Sequence, residues 1–234
     1  MTYPNETIQG LVDPSPWWER DDKKTICRGR LCRAFVPFVS QTPLTLEPVG
    51  RPQPTNHQEA NARLKPLQIN ETKRMKMLPV AAMPLNGNEL YTVYKAKKRP
   101  CLILGDGCSD LPKHLCEGRP SWQVAHTVLV APYFGVEQDG GRAGFPPPFV
   151  ERVKHCEFPQ FFWDVLPHSG KESMLYLMQA QPIGKHFDSI ECLPFTLSAK
   201  ALCVIDEWMG WAFTGNDPDP NGFLFGAREL LMDQ

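Results

Sequence analysis

The stretch NGNELYTVYKAKKRPCLIL, residues 86–104, decides the fold that the sequence predicts. An alternating apolar segment, Leu90–Tyr94, comes first, and the apolar run Cys101–Leu104 comes last. Alternation is typical of a strand with one buried face, and a short apolar run is typical of a fully buried strand. We therefore predict two strands joined by a basic turn. The cations of this turn are Lys95, Lys97, Lys98 and Arg99.

Three further apolar segments follow this pair of strands. Val124–Phe134 is dense in β-branched and aromatic residues, and Phe158–Leu166 and Ser173–Ile183 continue the pattern. A glycine-rich turn and a triple proline, residues 140–148, separate the first of these segments from the second. Short strands with glycine and proline between them predict a compact barrel rather than a parallel sheet with crossover helices.

The order of these motifs resembles that of the PemK/MazF family of toxin endoribonucleases, whose members have an SH3-like barrel. The motifs in this chain are E-L-Y, then K-K-R-P before an apolar strand, A-P-Y at the end of the next strand, A-G-F, and SMLYLMQAQPI. They extend over about residues 87–184. The resemblance implies a mainly β (α+β) fold with an SH3-like PemK/MazF-type β-barrel.

The first 85 residues lie outside the resemblance. We expect residues 1–85 to form a proline-rich N-terminal arm that wraps the barrel, and residues 86–234 to form the barrel with its C-terminal helical closure. Within the arm, residues 56–67 have a helical pattern with Thr55 as a cap. The adjacent Trp17 and Trp18 are interpreted as a packing anchor, with exposed base stacking as the alternative.

The C-terminal part predicts two helices. Residues 198–213 place apolar side chains along one face at helical spacing, and Ser198 is suited to cap the first turn. We expect this amphipathic helix to pack on the barrel. Residues 223–232 are expected to form a short closing helix.

Members of the resembled family cut single-stranded RNA without a metal. Cleavage by the 2′-hydroxyl of the RNA needs a base, an acid for the leaving 5′-oxygen and a cation beside the phosphate. The resemblance gives Arg119 the phosphate-binding role, and His114 or Tyr133 is the candidate for proton transfer.

Two regions of the chain differ from the family pattern. Tyr133–Gly135 stands where the family has a threonine or serine hydroxyl. In the late strand Gln179 matches the family's glutamine, while Tyr176 and Met178 occupy the positions of an arginine and an aspartate. These differences leave two function hypotheses open.

The leading hypothesis is binding of single-stranded RNA, with metal-independent cleavage, in a toxin or defence role. The expected RNA contacts are Lys95, Lys97, Lys98, Arg99, Arg142 and Gln179. The alternative is a catalytically silent barrel that binds protein or nucleic acid through the hydrophobic faces around residues 161–163. No cofactor is expected, and the resemblance implies a homodimer and an antitoxin-like protein partner.

Composition limits where and how such a chain acts. Its 25 cationic and 26 anionic residues give a net charge of -1, so RNA binding must rest on a local patch. The sequence has no run of about 18 apolar residues and no secretory signal at its start, so a cytoplasmic location without membrane contact is expected. The eight cysteines are then expected to be free thiols. The alternative is a zinc site built from Cys108, His114 and Cys116 with Cys27 or Cys32.

Overall fold

The computed structural model describes residues 3–12, 16–68, 80–85, 89–107, 112–119, 126–138, 143–185 and 188–232. The chain divides into two units, which are described separately. The larger unit contains Met1–Phe35 and Lys98–Gln234, and the smaller unit contains Val36–Lys97.

The elements of the described residues follow one another in this order along the chain. The strands are β1 (Trp18–Arg20), β2 (Arg30–Pro37), β3 (Leu44–Gly50), β4 (Asn61–Pro66), β5 (Tyr91–Val93), β6 (Ala96–Gly105), β7 (Thr127–Gly135), β8 (Phe161–Leu166), β9 (Lys171–Tyr176), β10 (Gln181–Gly184) and β11 (Ile190–Leu197). The helices are α1 (Ile8–Leu11), α2 (Lys113–Cys116), α3 (Pro147–Lys154), α4 (Ala199–Thr214) and α5 (Phe223–Met232). A 3-10 helix, Leu177–Gln179, lies between β9 and β10.

The larger unit is built on an eight-stranded sheet. Its strand order is β1-β11-β2-β6-β7-β9-β8, and β10 also pairs with β7. The path ends at β1 and β8, so the described strands do not form a closed barrel. The prediction of a mainly β, α+β fold is confirmed.

Strand β2 shows why the sheet forms where it does. Arg30, Cys32 and Ala34 alternate along one face and are buried, while Phe35 on the other face is 65% exposed. This alternation gives the segment a buried face, and β2 lies between β11 and β6 in the sheet. The first 35 residues share a unit with the last 137. The arm expected over residues 1–85 stays a prediction.

The main core of the larger unit lies between the sheet and the C-terminal helices. Helix α4 begins where the Ser198 hydroxyl accepts a hydrogen bond from the backbone N–H of Ala201, and ends at Gly215, whose φ is 71°. Trp208 of α4 is buried, meets Phe162 edge to face at 4.8 Å, and donates its indole N–H to the Pro159 carbonyl. The two predicted C-terminal helices are confirmed.

The tryptophan pair also packs as the sequence indicated. Trp17 is 3% exposed and stacks on Phe162 with ring centroids 5.4 Å apart. Trp18 is half-buried and donates its indole N–H to Asp164. The packing interpretation is confirmed, and these rings are not an exposed stacking pair.

The smaller unit contains a three-stranded antiparallel sheet in the order β4-β3-β5. The prediction of a helix over residues 56–67 is wrong, because residues 61–66 pair with β3 along their length. Pairing with a neighbouring strand overrides the weak helical pattern that the isolated segment shows.

The predicted hairpin in the opening stretch is also wrong. Strand β5 pairs with β3 in the smaller sheet, whereas β6 lies between β2 and β7 in the larger sheet. Only residues 94–95 separate the two strands, and Lys97, Lys98 and Arg99 lie inside β6 rather than in a turn. Local alternation predicted both strands but carried no information about their partners.

Candidate nucleic-acid interface

A line of aromatic side chains in the larger unit is the strongest candidate for a functional surface. We call it the aromatic stripe. Each member is a half-buried residue. The members are Phe134, Phe145, Phe149, Phe158, Phe161 and Tyr176.

The centre of the stripe is set by the pairing of two strands. Phe161 at the start of β8 faces Tyr176 at the end of β9 in the antiparallel register. Because opposed residues project from the same face of a sheet, the two rings meet. Their planes stack at 25° with centroids 4.5 Å apart, and Phe134 of β7 meets Tyr176 edge to face at 6.1 Å.

Helix α3 extends the stripe beyond the sheet. Prolines at the start of this helix fix its first turn, because proline suits positions whose N–H needs no helical partner. Phe149 of α3 meets Phe161 edge to face at 5.4 Å, stacks on Phe145 at 5.7 Å and contacts Phe158 at 5.3 Å. The rings therefore form one continuous series of contacts.

A buried apolar layer supports the rings from below. Val150, Val153, Trp163 and Met174 form this layer, and four phenylalanines of the stripe pack against it. The layer keeps these phenylalanines in place. Such an arrangement of rings is pre-organised for stacking on planar ligands.

An arginine lies against each end of the stripe. The guanidinium carbon of Arg99 lies 4.1 Å from the centroid of Phe134, and that of Arg152 lies 4.7 Å from the centroid of Phe158. Burial lowers the pKa of Arg99 from its ordinary value. Arg152 also forms a salt bridge with Glu157 at 2.6 Å. The stripe thus joins stacking surfaces to positive charge, the combination used to hold single-stranded nucleic acids.

The residues predicted to contact RNA lie on several different elements of the structure. Gln179 is half-buried and ends the 3-10 helix that directly follows Tyr176. Lys98 is exposed and forms a salt bridge with Glu191 at 2.7 Å. Lys95 and Lys97 are exposed residues of the smaller unit. Arg142 lies outside the described residues.

The three residues proposed for catalysis lie in different surroundings. His114 lies on α2 and Arg119 in the turn that follows, and both are exposed. Tyr133 lies within β7 and is 2% exposed. No contact joins Tyr133 to either of the other two among the described residues. Its hydroxyl instead donates a hydrogen bond to Asp164 Oδ2 at 3.1 Å.

Asp164 is the centre of a buried polar group that sequence reasoning missed. We call Tyr3, Trp18, Tyr133 and Asp164 the Asp164 cluster. The carboxyl is fully buried and accepts hydrogen bonds from Tyr3 Oη at 2.8 Å and from the Val165 N–H at 2.7 Å, besides those from Trp18 and Tyr133. Burial raises the pKa of Asp164 to about 7, and the four donors oppose this rise.

The same burial acts on the two phenols of the Asp164 cluster. It raises the pKa of Tyr3 and of Tyr133 well above the ordinary value, and the neighbouring carboxyl raises both further. The phenols therefore stay protonated at neutral pH and serve as hydrogen-bond donors. The donors of Tyr3, Trp18 and Tyr133 all reach the buried carboxyl of Asp164, which indicates a role in holding Tyr3 and Trp18 on the sheet.

The described residues give no support for a metal centre. No three of their histidine, cysteine, aspartate and glutamate side chains are grouped as metal ligands would be. Cys108, one of the residues considered for zinc, lies outside the described part of the chain. Within that part, no helix combines the length and apolar character that a bilayer crossing requires.

The aromatic stripe was missed at the sequence level because its members are spread over four elements and two loops. Spacing within the sequence does not bring Phe134, Phe149 and Tyr176 together, and only the β8–β9 register and the docking of α3 do so. The available signal was the concentration of phenylalanine between residues 134 and 162. No family model matches the chain, and no curated protein matches its sequence.

Proposed function

We propose that the protein binds single-stranded RNA along the aromatic stripe. The observation that carries this proposal is the unbroken series of ring contacts that runs between Arg99 and Arg152. Unpaired bases stack on such rings, and each stacked base contributes about 1–3 kcal/mol to binding. The choice of RNA rests on the resemblance to the PemK/MazF family.

The charge distribution supports a short binding site rather than a long electrostatic channel. A net charge of -1 provides no general attraction for a polyanion. The affinity must then come chiefly from stacking, with Arg99 and Arg152 contributing at the two ends. We expect a weak salt dependence for this reason, because few phosphates are neutralised.

Cleavage of the bound RNA is a further part of the proposal, and it rests on the resemblance. His114 and Arg119 are exposed on α2 and the adjoining turn, where a substrate has access to them. Tyr133 is occupied within the Asp164 cluster, so we assign it a structural role. A protein that binds RNA through the aromatic stripe and leaves it intact would be the silent binding module, and one that cuts it would fit a toxin or defence role.

The direct test compares binding of fluorescently labelled single-stranded RNA by the native chain and by Tyr176→Ala. Fluorescence anisotropy in EDTA is expected to show a loss of affinity of roughly tenfold, corresponding to one stacked base. The matched control is Phe213→Ala, which removes a 46% exposed phenylalanine from α4, outside the stripe. Equal affinities for all three proteins would overturn the proposal.

Incubation of the same RNA with the native chain and with Arg119→Ala decides between cleavage and silent binding. Sequencing of RNA ends after incubation in EDTA reveals any cut sites, and Arg119→Ala is expected to abolish them if Arg119 stabilises the phosphate. RNA that is bound but uncut by the native chain would leave RNA binding in place and remove the nuclease from the proposal.

A further inference from the structure

Three cysteines lie on three neighbouring strands of the larger sheet. Cys192 belongs to β11, Cys32 to β2 and Cys101 to β6, and β2 lies between the other two strands. All three are free thiols in the structure. Burial raises the pKa of Cys32, and the nearby thiols of Cys101 and Cys192 raise it further. The sulfur atoms are therefore close enough to influence one another.

Cys32 and Cys192 stand directly opposite each other in the antiparallel ladder. Opposed residues in such a ladder have Cα atoms about 4.5–5.5 Å apart and side chains on the same face. A disulfide spans Cα separations of about 4.4–6.8 Å. The backbone of β2 and β11 thus already has the spacing that a disulfide requires.

The adjacent position of the same ladder shows that opposed side chains do meet here. Arg33 faces Glu191 in the register, and Arg33 Nη1 lies 3.2 Å from Glu191 Oε1. The regular register breaks only beyond Cys192. The pair Cys32–Cys192 is therefore the last regular pair before this irregularity.

The two thiols differ in their access to solvent. Cys32 is fully buried, whereas Cys192 is half-buried. Burial raises the pKa of Cys192, and the nearby guanidinium of Arg30 partly offsets this rise. Cys101 is buried and its thiol points to the Arg99 carbonyl at 3.6 Å. Cys192 is thus the thiol that meets the oxidant first.

We propose that Cys32 and Cys192 form a reversible cross-strand disulfide when a hydroperoxide reaches the protein. Cys192 attacks a peroxide oxygen as its thiol gives up its proton, the O–O bond breaks, and the sulfur becomes a sulfenic acid while the other oxygen takes a proton and leaves as water. The Cys32 thiol then gives up its proton as its sulfur attacks the Cys192 sulfur, and the displaced hydroxide takes up a proton to leave as water. Two thiols are oxidised, and one molecule of hydrogen peroxide is reduced to two of water.

The disulfide would join two strands that lie far apart in the sequence. It constrains the unfolded chain over a long loop, so it stabilises the fold by raising the free energy of the unfolded state. This inference is independent of the proposed RNA binding, because none of the residues of the aromatic stripe takes part in it.

The test treats the reduced native chain with hydrogen peroxide, blocks remaining thiols and maps the peptides by mass spectrometry. We expect a Cys32–Cys192 linkage with loss of two hydrogen atoms, fully reversed by dithiothreitol. The Cys192→Ser variant should lose the linkage, and the matched Cys203→Ser variant should keep it, since Cys203 is an exposed thiol of α4.

The melting temperature supplies a second readout. For a chain of this size a disulfide is expected to raise it by roughly 5 °C or more in the native chain and not in Cys192→Ser. Oxidation of Cys203 without any Cys32–Cys192 linkage, or linkage of Cys32 to Cys101 instead, would overturn the proposal. Peptide mapping of the native chain decides the question even if Cys192→Ser does not fold.

Discussion

Strand β8 contributes one residue to the aromatic stripe and another to the Asp164 cluster, and the two regions differ in their chemistry. At its start, Phe161 belongs to the aromatic stripe, whose half-buried members lie between two arginines. Three residues later, Asp164 is fully buried, and all of its partners donate hydrogen bonds to its carboxyl group. The comparison teaches that shifted pKa values alone do not identify a functional site. The Asp164 cluster has the strongest pKa shifts but directs its donors to one buried carboxyl, whereas the aromatic stripe has few shifted groups and consists of half-buried aromatic residues next to two arginines.

The largest expected effect separates stability from binding. Asp164→Ala leaves the donors of Tyr3, Trp18, Tyr133 and the Val165 N–H without their acceptor in the interior. We expect the free energy of unfolding to fall by about 4 kcal/mol or more, because each buried unsatisfied donor costs about 1–3 kcal/mol. Urea denaturation measures the change.

Asp164→Asn is the matched variant for this experiment, because its amide oxygen continues to accept from Tyr3 and Val165. It should lose much less stability than Asp164→Ala at pH 7. Similar stability of the native chain and Asp164→Ala would show that the Asp164 cluster does not hold the N-terminal segment.

The pH dependence of stability is the second way to test the Asp164 cluster. The folded-state pKa of Asp164, about 7, lies above the ordinary value of 3.8, so the folded protein binds a proton that the unfolded chain releases. This contribution is complete below about pH 4 and is lost as pH rises through 7. The native chain should therefore lose about 3 kcal/mol more than Asp164→Asn between pH 5 and pH 8, as measured by urea denaturation. Parallel pH profiles would contradict the assigned burial effect.

The aromatic stripe predicts the opposite pattern of effects. Phe161→Leu removes the ring at the centre of the stripe but keeps an apolar side chain over the buried layer. We expect RNA affinity to fall about fivefold to tenfold, since one stacking surface is lost. Circular dichroism and the melting temperature should show a folded protein, and unchanged affinity in a folded variant would argue against stacking on Phe161.

The smallest expected effect concerns the arginines at the ends of the stripe. Arg99→Gln should weaken RNA binding a few-fold and reduce the slope of log affinity against log salt by about 1, as the loss of one phosphate contact does. Lys65→Gln is a control on a cation of the smaller unit, and it should leave the slope unchanged. Equal slopes for Arg99→Gln and the native chain would exclude a phosphate contact by Arg99.

The sequence predicted the positions of helices and strands better than it predicted which strands pair with each other. The helix beginning after Ser198 follows from a strong cap and an apolar face at helical spacing, and it is confirmed. The hairpin from Leu90 to Leu104 and the helix over residues 56–67 are wrong, because strand pairing depends on residues far away in the sequence.

The candidate site was only partly accessible to sequence reasoning. Arg99 and Gln179 were named as RNA contacts, and Arg99 does lie against the aromatic stripe. The rings themselves are brought together by a strand register and a helix docking that no local pattern encodes. Tyr133 was chosen for its hydroxyl, yet the partner that occupies this hydroxyl, Asp164, lies 31 residues away in the sequence.

Photo-crosslinking tests the central claim most directly. Single-stranded RNA that contains a photoreactive uridine analogue is irradiated with the native chain, and the crosslinked peptides are identified by mass spectrometry. The account predicts crosslinks at residues of the aromatic stripe, above all Phe161 and Tyr176, and their loss with excess unlabelled RNA. Specific crosslinks confined to other surfaces of the larger unit, or to the smaller unit, would contradict it.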